Sequence, residues 1–409
     1  MGSEKFGAAP SARNSAFYRW KQRVSRSDNN FVLVIHGGAG VMITRETATP
    51  EKRAAYRGAL DQALKAGYEV LKDGGEAMDA AVAAVSVLEG IVDVHFLDCP
   101  LFNAGKGSVF NIVGKNELEA SIMLSKPPST HSAILATRRG TSLALLTSTR
   151  NPSQLVRGIY LAADLVPHPM ISGATAESIG SEELGIPTVD PSYFWTEARW
   201  REHRRGLGLP EEPIQNPSRS NAPSDGGTLV GSVQWEEKLD SLDLMPTGTV
   251  GAVALDIRGC IATVTSTGGR TNKLVGRIGD TPIMGSGFWA EEWNQKRGFL
   301  GKTWDLLRGE SSVQGIGVSG TGDGDYFIRQ NTASTIAHRM QFLREPVVKA
   351  AEKVVTDMKK AGGLGGVIAL DKKGNVALSL NCSGMYRGII RSDGIPLTAI
   401  FFDEELSQL

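Results

Sequence analysis

One strand-and-turn pattern occurs twice in the second half of the chain: Val253-Ala254-Leu255-Asp256 leads through two residues to Gly259, and Ile368-Ala369-Leu370-Asp371 leads likewise to Gly374. Each reads as a β-hairpin turning through Asp-x-x-Gly. The four-residue signal is generic and need not record a duplication, but hairpins build antiparallel sheet, and that restricts the folds open to the chain. The first hairpin also begins abruptly. At Gly248-Thr249 a long polar, turn-rich stretch gives way to Val250-Gly251-Ala252-Val253-Ala254-Leu255.

The first half adds helices to the sheet. Phe31-Val32-Leu33-Val34-Ile35 reads as a strand running into a turn at Gly37 and Gly38. Thr49 suits a helix N-cap with Pro50 at the first helical position, and Leu60, Leu64 and Leu71 fall on one face. A second helix follows Gly75; from Met78 to Leu88 it is apolar almost all round, which predicts burial against sheet. Ser153 to Val166 and Pro346 to Lys360 read as further helices. The stretch from about 193 to 246 carries Arg199, Arg201, Arg204 and Arg205, then Pro210, Pro213, Pro217 and Pro223, and Gly226-Gly227, and reads as a mobile linker whose basic cluster is a solvated face.

Thr249 is the residue with chemistry to offer. A hydroxyl is a poor nucleophile unless a base takes its proton, and an N-terminal amine can do this for a threonine. Free α-amino groups titrate at roughly 7.7–8.0, close to neutrality. Scission before Thr249 would therefore place nucleophile and base on one residue. Gly248 suits such a cut because a residue without Cβ tolerates the strained backbone of an N-to-O acyl shift. An isolated Gly-Thr-Val would be an ordinary strand entry.

The surroundings give the pair its weight. Gly248 to Asp256, then Thr265-Ser266-Thr267-Gly268-Gly269 and Gly276-Arg277-Ile278-Gly279-Asp280, occur together with His36-Gly37-Gly38-Ala39-Gly40, Phe102-Asn103-Ala104-Gly105-Lys106-Gly107, Ser319-Gly320-Thr321-Gly322-Asp323-Gly324-Asp325 and Gly384-Met385-Tyr386-Arg387-Gly388. In this order the motifs resemble the plant-type asparaginase and isoaspartyl peptidase family, from about Phe31 to about Arg391, with a poorly matching stretch near 170–245. The resemblance implies an α/β protein, a four-layer αββα sandwich of the N-terminal nucleophile hydrolase type with antiparallel sheets. It implies a precursor that cuts itself between Gly248 and Thr249 into an α chain and a β chain, 249–409, forming one structural domain behind a flexible tail at 1–30.

By position, the resemblance makes Thr249 the nucleophile, supported by Thr267, with Thr321 and Gly322 as oxyanion stabilisers. It makes Arg277, Asp280 and Gly324 the substrate site, and Gly37, Gly38 and Asn103 supporting residues. The charges of the clamp suit the task independently: a guanidinium grips a carboxylate bidentately, and a carboxylate accepts from an ammonium. Without the other motifs Arg277 and Asp280 would read as a surface pair. The loop from Gly320 to Asp325 fits neither a phosphate loop, lacking the Lys-Ser/Thr ending, nor an EF-hand, whose acidic spacing differs.

The implied substrates are asparagine and β-aspartyl dipeptides, attacked to form a β-aspartyl ester on Thr249. A glycosylasparaginase-like enzyme fits less well, since such enzymes usually have Asp before the nucleophile, a secretory signal and disulfides. A threonine aspartase-like enzyme lacks the acidic clamp member that Asp280 supplies here. An uncut, inactive binding homologue is the reading from another class. The family pairs two αβ units into a dimer and has a sodium-binding loop. The chain departs from the family pattern where that loop lies, at Gly90 to Cys99, so no metal is assigned; it departs again at Leu124-Ser125 and Asp323. No cofactor is expected.

Composition excludes several classes. With 44 basic and 44 acidic side chains among 409 residues the formal charge is zero, so nothing suggests nucleic acid as a partner. Three widely spaced cysteines argue against a disulfide framework, and the histidines show no zinc spacing. No stretch reaches the roughly 18 apolar residues of a membrane span. A cytoplasmic protein is expected; the basic N-terminal thirty residues leave organellar targeting open.

Overall fold

A computed structural model describes residues 31–40, 43–90, 100–210, 248–295 and 312–409. Two sheets lie face to face between layers of helix, the expected αββα sandwich. The larger sheet has eight strands: β1 (Val32–Gly40), β2 (Leu118–Leu124), β3 (Gly140–Leu146), β4 (Met170–Ser172), β5 (Val250–Leu255), β6 (Ile261–Thr267), β11 (Gly384–Arg391) and β12 (Leu397–Phe401), in the order β12-β11-β1-β5-β6-β2-β3-β4. The smaller has four: β7 (Phe288–Asn294), β8 (Val313–Gly322), β9 (Gly365–Asp371) and β10 (Val376–Leu380), in the order β10-β9-β8-β7. All pairings are antiparallel except β3 with β4, which is parallel.

Both hairpins form. Asp256 ends the β5 side of one turn and Asp371 the β9 side of the other, and in each a glycine with left-handed φ, Gly259 or Gly374, completes the reversal. The two aspartates do the same work: one oxygen of Asp256 accepts from the amides of Arg258 and Cys260, and one of Asp371 from Lys373 and Asn375. Asx-type bonding explains why this residue opens both turns.

Helices α1 (Pro50–Lys72), α2 (Ala77–Leu88), α3 (Pro152–Leu161) and α4 (Gly173–Glu183) belong to the larger sheet's side, whose largest core joins α1 residues such as Leu60 and Leu64 with Leu33, Ile35, Ala252 and Val264. Thr49 caps α1, its hydroxyl accepting from Lys52 N at 3.3 Å with Pro50 following. Helix α2 is buried nearly all round, as its composition predicts. Helix α3 stops at Leu161, short of the expected Val166, and a separate turn closed on Ala162 O follows. Below the smaller sheet, α7 (Thr332–Leu343) and α8 (Val347–Lys360) build a second core with Ile316, Val318 and Val367. The short α6 (Gly324–Gln330) leads off β8. Between the sheets lies a third core of Val32, Val34, Val253, Leu255, Ile368 and Leu370.

The expected linker at 193–246 does not begin as one. Residues Glu197–Gly206 form helix α5, capped by Thr196. Arg199 on it is 1% exposed, so this arginine is no part of a solvated face. Its Nε donates to Gly107 O at 2.8 Å and its Nη1 to Glu202 at 2.8 Å. A guanidinium tolerates such burial because its fixed donors meet oxygens already in place. Residues 211–246 of the linker, the tail at 1–30 and the extra residues 91–99 lie outside the described residues.

Candidate active site

Thr249 stands one residue before β5, the fourth strand of the larger sheet. Alternation along a strand decides which way it faces. Val250, Ala252 and Ala254 enter the core on the helix side, whereas Val253 and Leu255 enter the core between the sheets, so Thr249 and Gly251 point toward the second sheet. Thr249 is 6% exposed. Its carbonyl accepts from His36 Nδ1 at 2.9 Å.

Two strands bring the expected partners to this point. Val250 faces Ser266 in the β5–β6 ladder, so one further step sets Thr249 beside Thr267, the last residue of β6. The Thr267 hydroxyl accepts from Gly269 N at 3.0 Å, which leaves its proton to give. From the other sheet, β8 delivers Thr321, whose Oγ1 accepts from Ala39 N at 3.1 Å. A methyl group on Gly248 would collide with that same Thr321 hydroxyl. The structure asks for glycine at 248 through this close approach.

The supporting residues divide the work of holding this junction. Gly38, at φ +114° in a β1 irregularity after His36, has its Cα against Gly248, and a Cβ there would lie 2.5 Å from Gly248 N. Gly37 makes room for the Phe102 ring. Asn103 is 1% exposed; its Nδ2 donates to Gly269 O at 2.7 Å and its backbone carbonyl accepts from Gly268 N at 3.0 Å, which fixes the turn beside Thr267.

Arg277, Asp280 and Gly324 also meet. A side chain on Gly324 would strike Asp280 Oδ1 and lie 3.3 Å from Arg277 Nη2. Arg277 Nη2 donates to Asp325 at 2.9 Å. Asp280 Oδ2 is buried without a hydrogen-bond partner. Burial, and after it the charge of Glu119, pushes the Asp280 carboxyl up to about 7. Gly322 ends β8 at φ +138° between Thr321 and this cluster.

Sequence reading missed five contributors. Glu119 is fully buried opposite Thr267 in the β2–β6 ladder; its Oε1 accepts from Gly279 N at 2.8 Å, and burial raises its pKa. Lys273 donates to Glu117 O at 2.6 Å, its pKa lowered by burial. Asp325 pairs with Arg277, and His36 and Ser319 form a chain described below. His36, Ser319 and Asp325 stood inside the quoted motifs, but only the fold shows what they touch. The departures at Leu124-Ser125 and Asp323 turn out to have structural partners. Ser125 bonds Ile261 through both amide and hydroxyl, extending β2 along β6, and the exposed Asp323 carboxylate accepts from Leu364 N at 2.9 Å. The sodium expectation falls on a segment mostly outside the described residues.

Thr249, one residue before β5, stands beside Thr267 at the end of β6, and the half-buried Arg277 and the buried Asp280 converge on Gly324. The asparaginase family model matches residues 29–295 and 311–400, and the chain belongs to that family. Among its relatives, the isoaspartyl peptidase of Salmonella typhimurium is 33% identical over 374 residues, covering 91% of this chain and 99% of that protein. The isoaspartyl peptidase of Escherichia coli is 34% identical over 371 residues, 90% of this chain and 96% of its own. The probable isoaspartyl peptidase/L-asparaginase 2 of Arabidopsis thaliana is 28% identical over 373 residues, 91% and 99%. No helix among the described residues is long and apolar enough to cross a membrane.

Proposed function

We propose that this chain is a self-processing amidohydrolase acting on L-asparagine and β-aspartyl dipeptides. One observation carries the reading: the hydroxyl against Gly248 and the point where Arg277 and Asp280 meet are Thr321 and Gly324, the two ends of a single four-residue segment from the end of β8 to the start of α6. Such a segment spans at most about 10 Å, the scale of an amino acid with a hydrogen bond at each end. A zwitterion held by Arg277 and Asp280 would thus reach the nucleophile with its side-chain carbonyl.

In the maturation step Thr249 Oγ1 adds to the Gly248 carbonyl carbon, the C–N bond breaks, and the amide nitrogen takes up the proton that the hydroxyl gives up and leaves as the Thr249 amine. Water then hydrolyses the Gly248 ester. In turnover the amine takes the hydroxyl proton as Oγ1 attacks the substrate's side-chain carbonyl, and passes it to the departing ammonia or amino group. The β-aspartyl ester is resolved by water, with the same amine as base. Thr321 Oγ1, already accepting from Ala39 N, donates its proton to the developing oxyanion together with Gly322 N–H. The two chains stay together because the cut separates neighbours in one sheet: β1 to β4 belong to the first chain and β5, β6, β11 and β12 to the second, and their order interleaves. Asp280 in the cluster favours a free α-ammonium over a protein substrate.

Amino-terminal sequencing tests this reading. Purified protein held at neutral pH is expected to yield a fragment beginning Thr249-Val250-Gly251, and Thr249→Ala to remain one chain. Intact wild-type protein that nevertheless hydrolyses these substrates refutes it; intact protein without activity supports the inactive binding homologue.

A further inference from the structure

His36 is fully buried and bonded at both ring nitrogens, and its partners lie on different sheets. Nδ1 is 2.9 Å from Thr249 O, and Nε2 is 2.7 Å from Ser319 Oγ. Ser319 Oγ is in turn 2.9 Å from Thr265 Oγ1. A carbonyl oxygen only accepts, so Nδ1 carries the hydrogen. In the neutral ring Nε2 is then bare and takes the Ser319 proton, and Ser319 accepts from Thr265. Every direction in the string Thr265→Ser319→His36→Thr249 follows from that one carbonyl. Burial holds the imidazole neutral, pushing its pKa down to about 3. The packing here is close: a side chain on Gly251 would collide with both His36 Nε2 and Ser319 Oγ.

We propose that His36 is a positioning residue that fixes the nucleophile of one sheet against the oxyanion strand of the other. This inference rests on the function proposed above. Ser319 sits two residues before Thr321 on β8, so both side chains leave the strand on the same face. His36 therefore ties the Thr249 carbonyl to the strand that presents the oxyanion hydroxyl. After scission the tie matters more, because Thr249 becomes a chain end with no covalent neighbour on its amino side, and free ends are the parts of a domain that fray. Its own carbonyl is the nearest backbone group that can be held. Holding it restricts rotation about the Cα–C bond and so limits where the amine and Oγ1 can point. The imidazole takes no proton from either; it acts through geometry alone.

Two substitutions separate the two ends of the ring. The amide of Asn overlays Nδ1, so His36→Asn keeps a donor for Thr249 O and gives up Ser319. The amide of Gln overlays Nε2, so His36→Gln keeps Ser319 and gives up Thr249 O. Displacing a reacting group by about 1 Å costs about a hundredfold in rate. His36→Gln is accordingly expected to lose roughly ten- to hundredfold in self-cleavage rate and in kcat toward a β-aspartyl dipeptide, with KM within about twofold of wild type, because the clamp is untouched. His36→Asn is expected to retain most of both rates. Equal loss in the two variants, or loss that appears in KM, overturns the proposal. Should the ring substitutions fail to fold, Ser319→Ala, which removes one hydroxyl, is expected to lower kcat severalfold at constant KM, and an unchanged kcat overturns it. If His36→Gln matures and turns over like wild type, the positioning role fails while the proposed function stands; if the wild type never yields a Thr249 amino terminus, the proposed function itself has failed.

Discussion

Asp280→Asn should make the protein more stable and less active, and the size of both effects follows from burial. The carboxyl is fully enclosed, one oxygen has no partner, and its pKa rises from 3.8 to about 7. In the unfolded chain the group gives up its proton near pH 4; in the folded protein it keeps the proton until about pH 7. Between those values the folded state binds the extra proton, so stability falls as pH rises and stays lower above pH 7. At 1.36 kcal/mol per pH unit the full penalty is about 4 kcal/mol. Asparagine has no proton to lose. Its advantage over aspartate should therefore be slight near pH 4, grow through pH 4–7, and level at about 4 kcal/mol. Urea unfolding at pH 5 and pH 8.5, in a Thr249→Ala background that keeps one chain, measures this difference. Activity should move the other way. In the proposed function the ionised carboxylate receives the substrate ammonium, so wild-type kcat/KM is expected to climb with pH through about 7, and Asp280→Asn to lose roughly ten- to hundredfold, the equivalent of one hydrogen bond to a charged group. Self-cleavage should be unaffected. A variant no more stable than its parent at pH 8.5 would show that the carboxylate is not strained by burial. Full turnover by the variant would remove Asp280 from the clamp.

Thr321→Val should keep the shape of β8 while deleting the hydroxyl beside Gly248; turnover is expected to fall by about 10²–10³, as for the loss of one oxyanion donor, and unchanged kcat would free Thr321 of that role. Arg199→Met should cost on the order of 3 kcal/mol in thermal or urea unfolding, because Gly107 O and Glu202 lose a donor in a buried setting; a neutral result would return Arg199 to the solvated cluster expected of it.

Much of the site was legible because its residues announce themselves locally. Asp256 and Asp371 open their turns with bonds reaching only two to four residues along the chain, and Thr49 caps α1 within three. The alternation that turns Thr249 inward is likewise written in Val250 to Leu255. The charges of Arg277 and Asp280 suit an amino acid, but only their company among the other motifs set them apart from a surface pair. Arg199 was misread for the corresponding reason: a cluster of arginines looks solvated until the carbonyl oxygens that meet one of them are known, and those lie nearly a hundred residues away.

The sequence by itself determined the hairpins, the caps, the buried helix and the residue types able to perform the chemistry, since each depends on spacing along the chain. The tertiary structure alone decided that His36 meets Thr249 and Ser319, separated from it by 213 and 283 residues, that Glu119 lies beneath Gly279, and that Arg277 and Asp280 converge on Gly324. Those meetings come from stacking two sheets whose strands interleave both halves of the chain, and no local periodicity encodes which residues such stacking brings face to face.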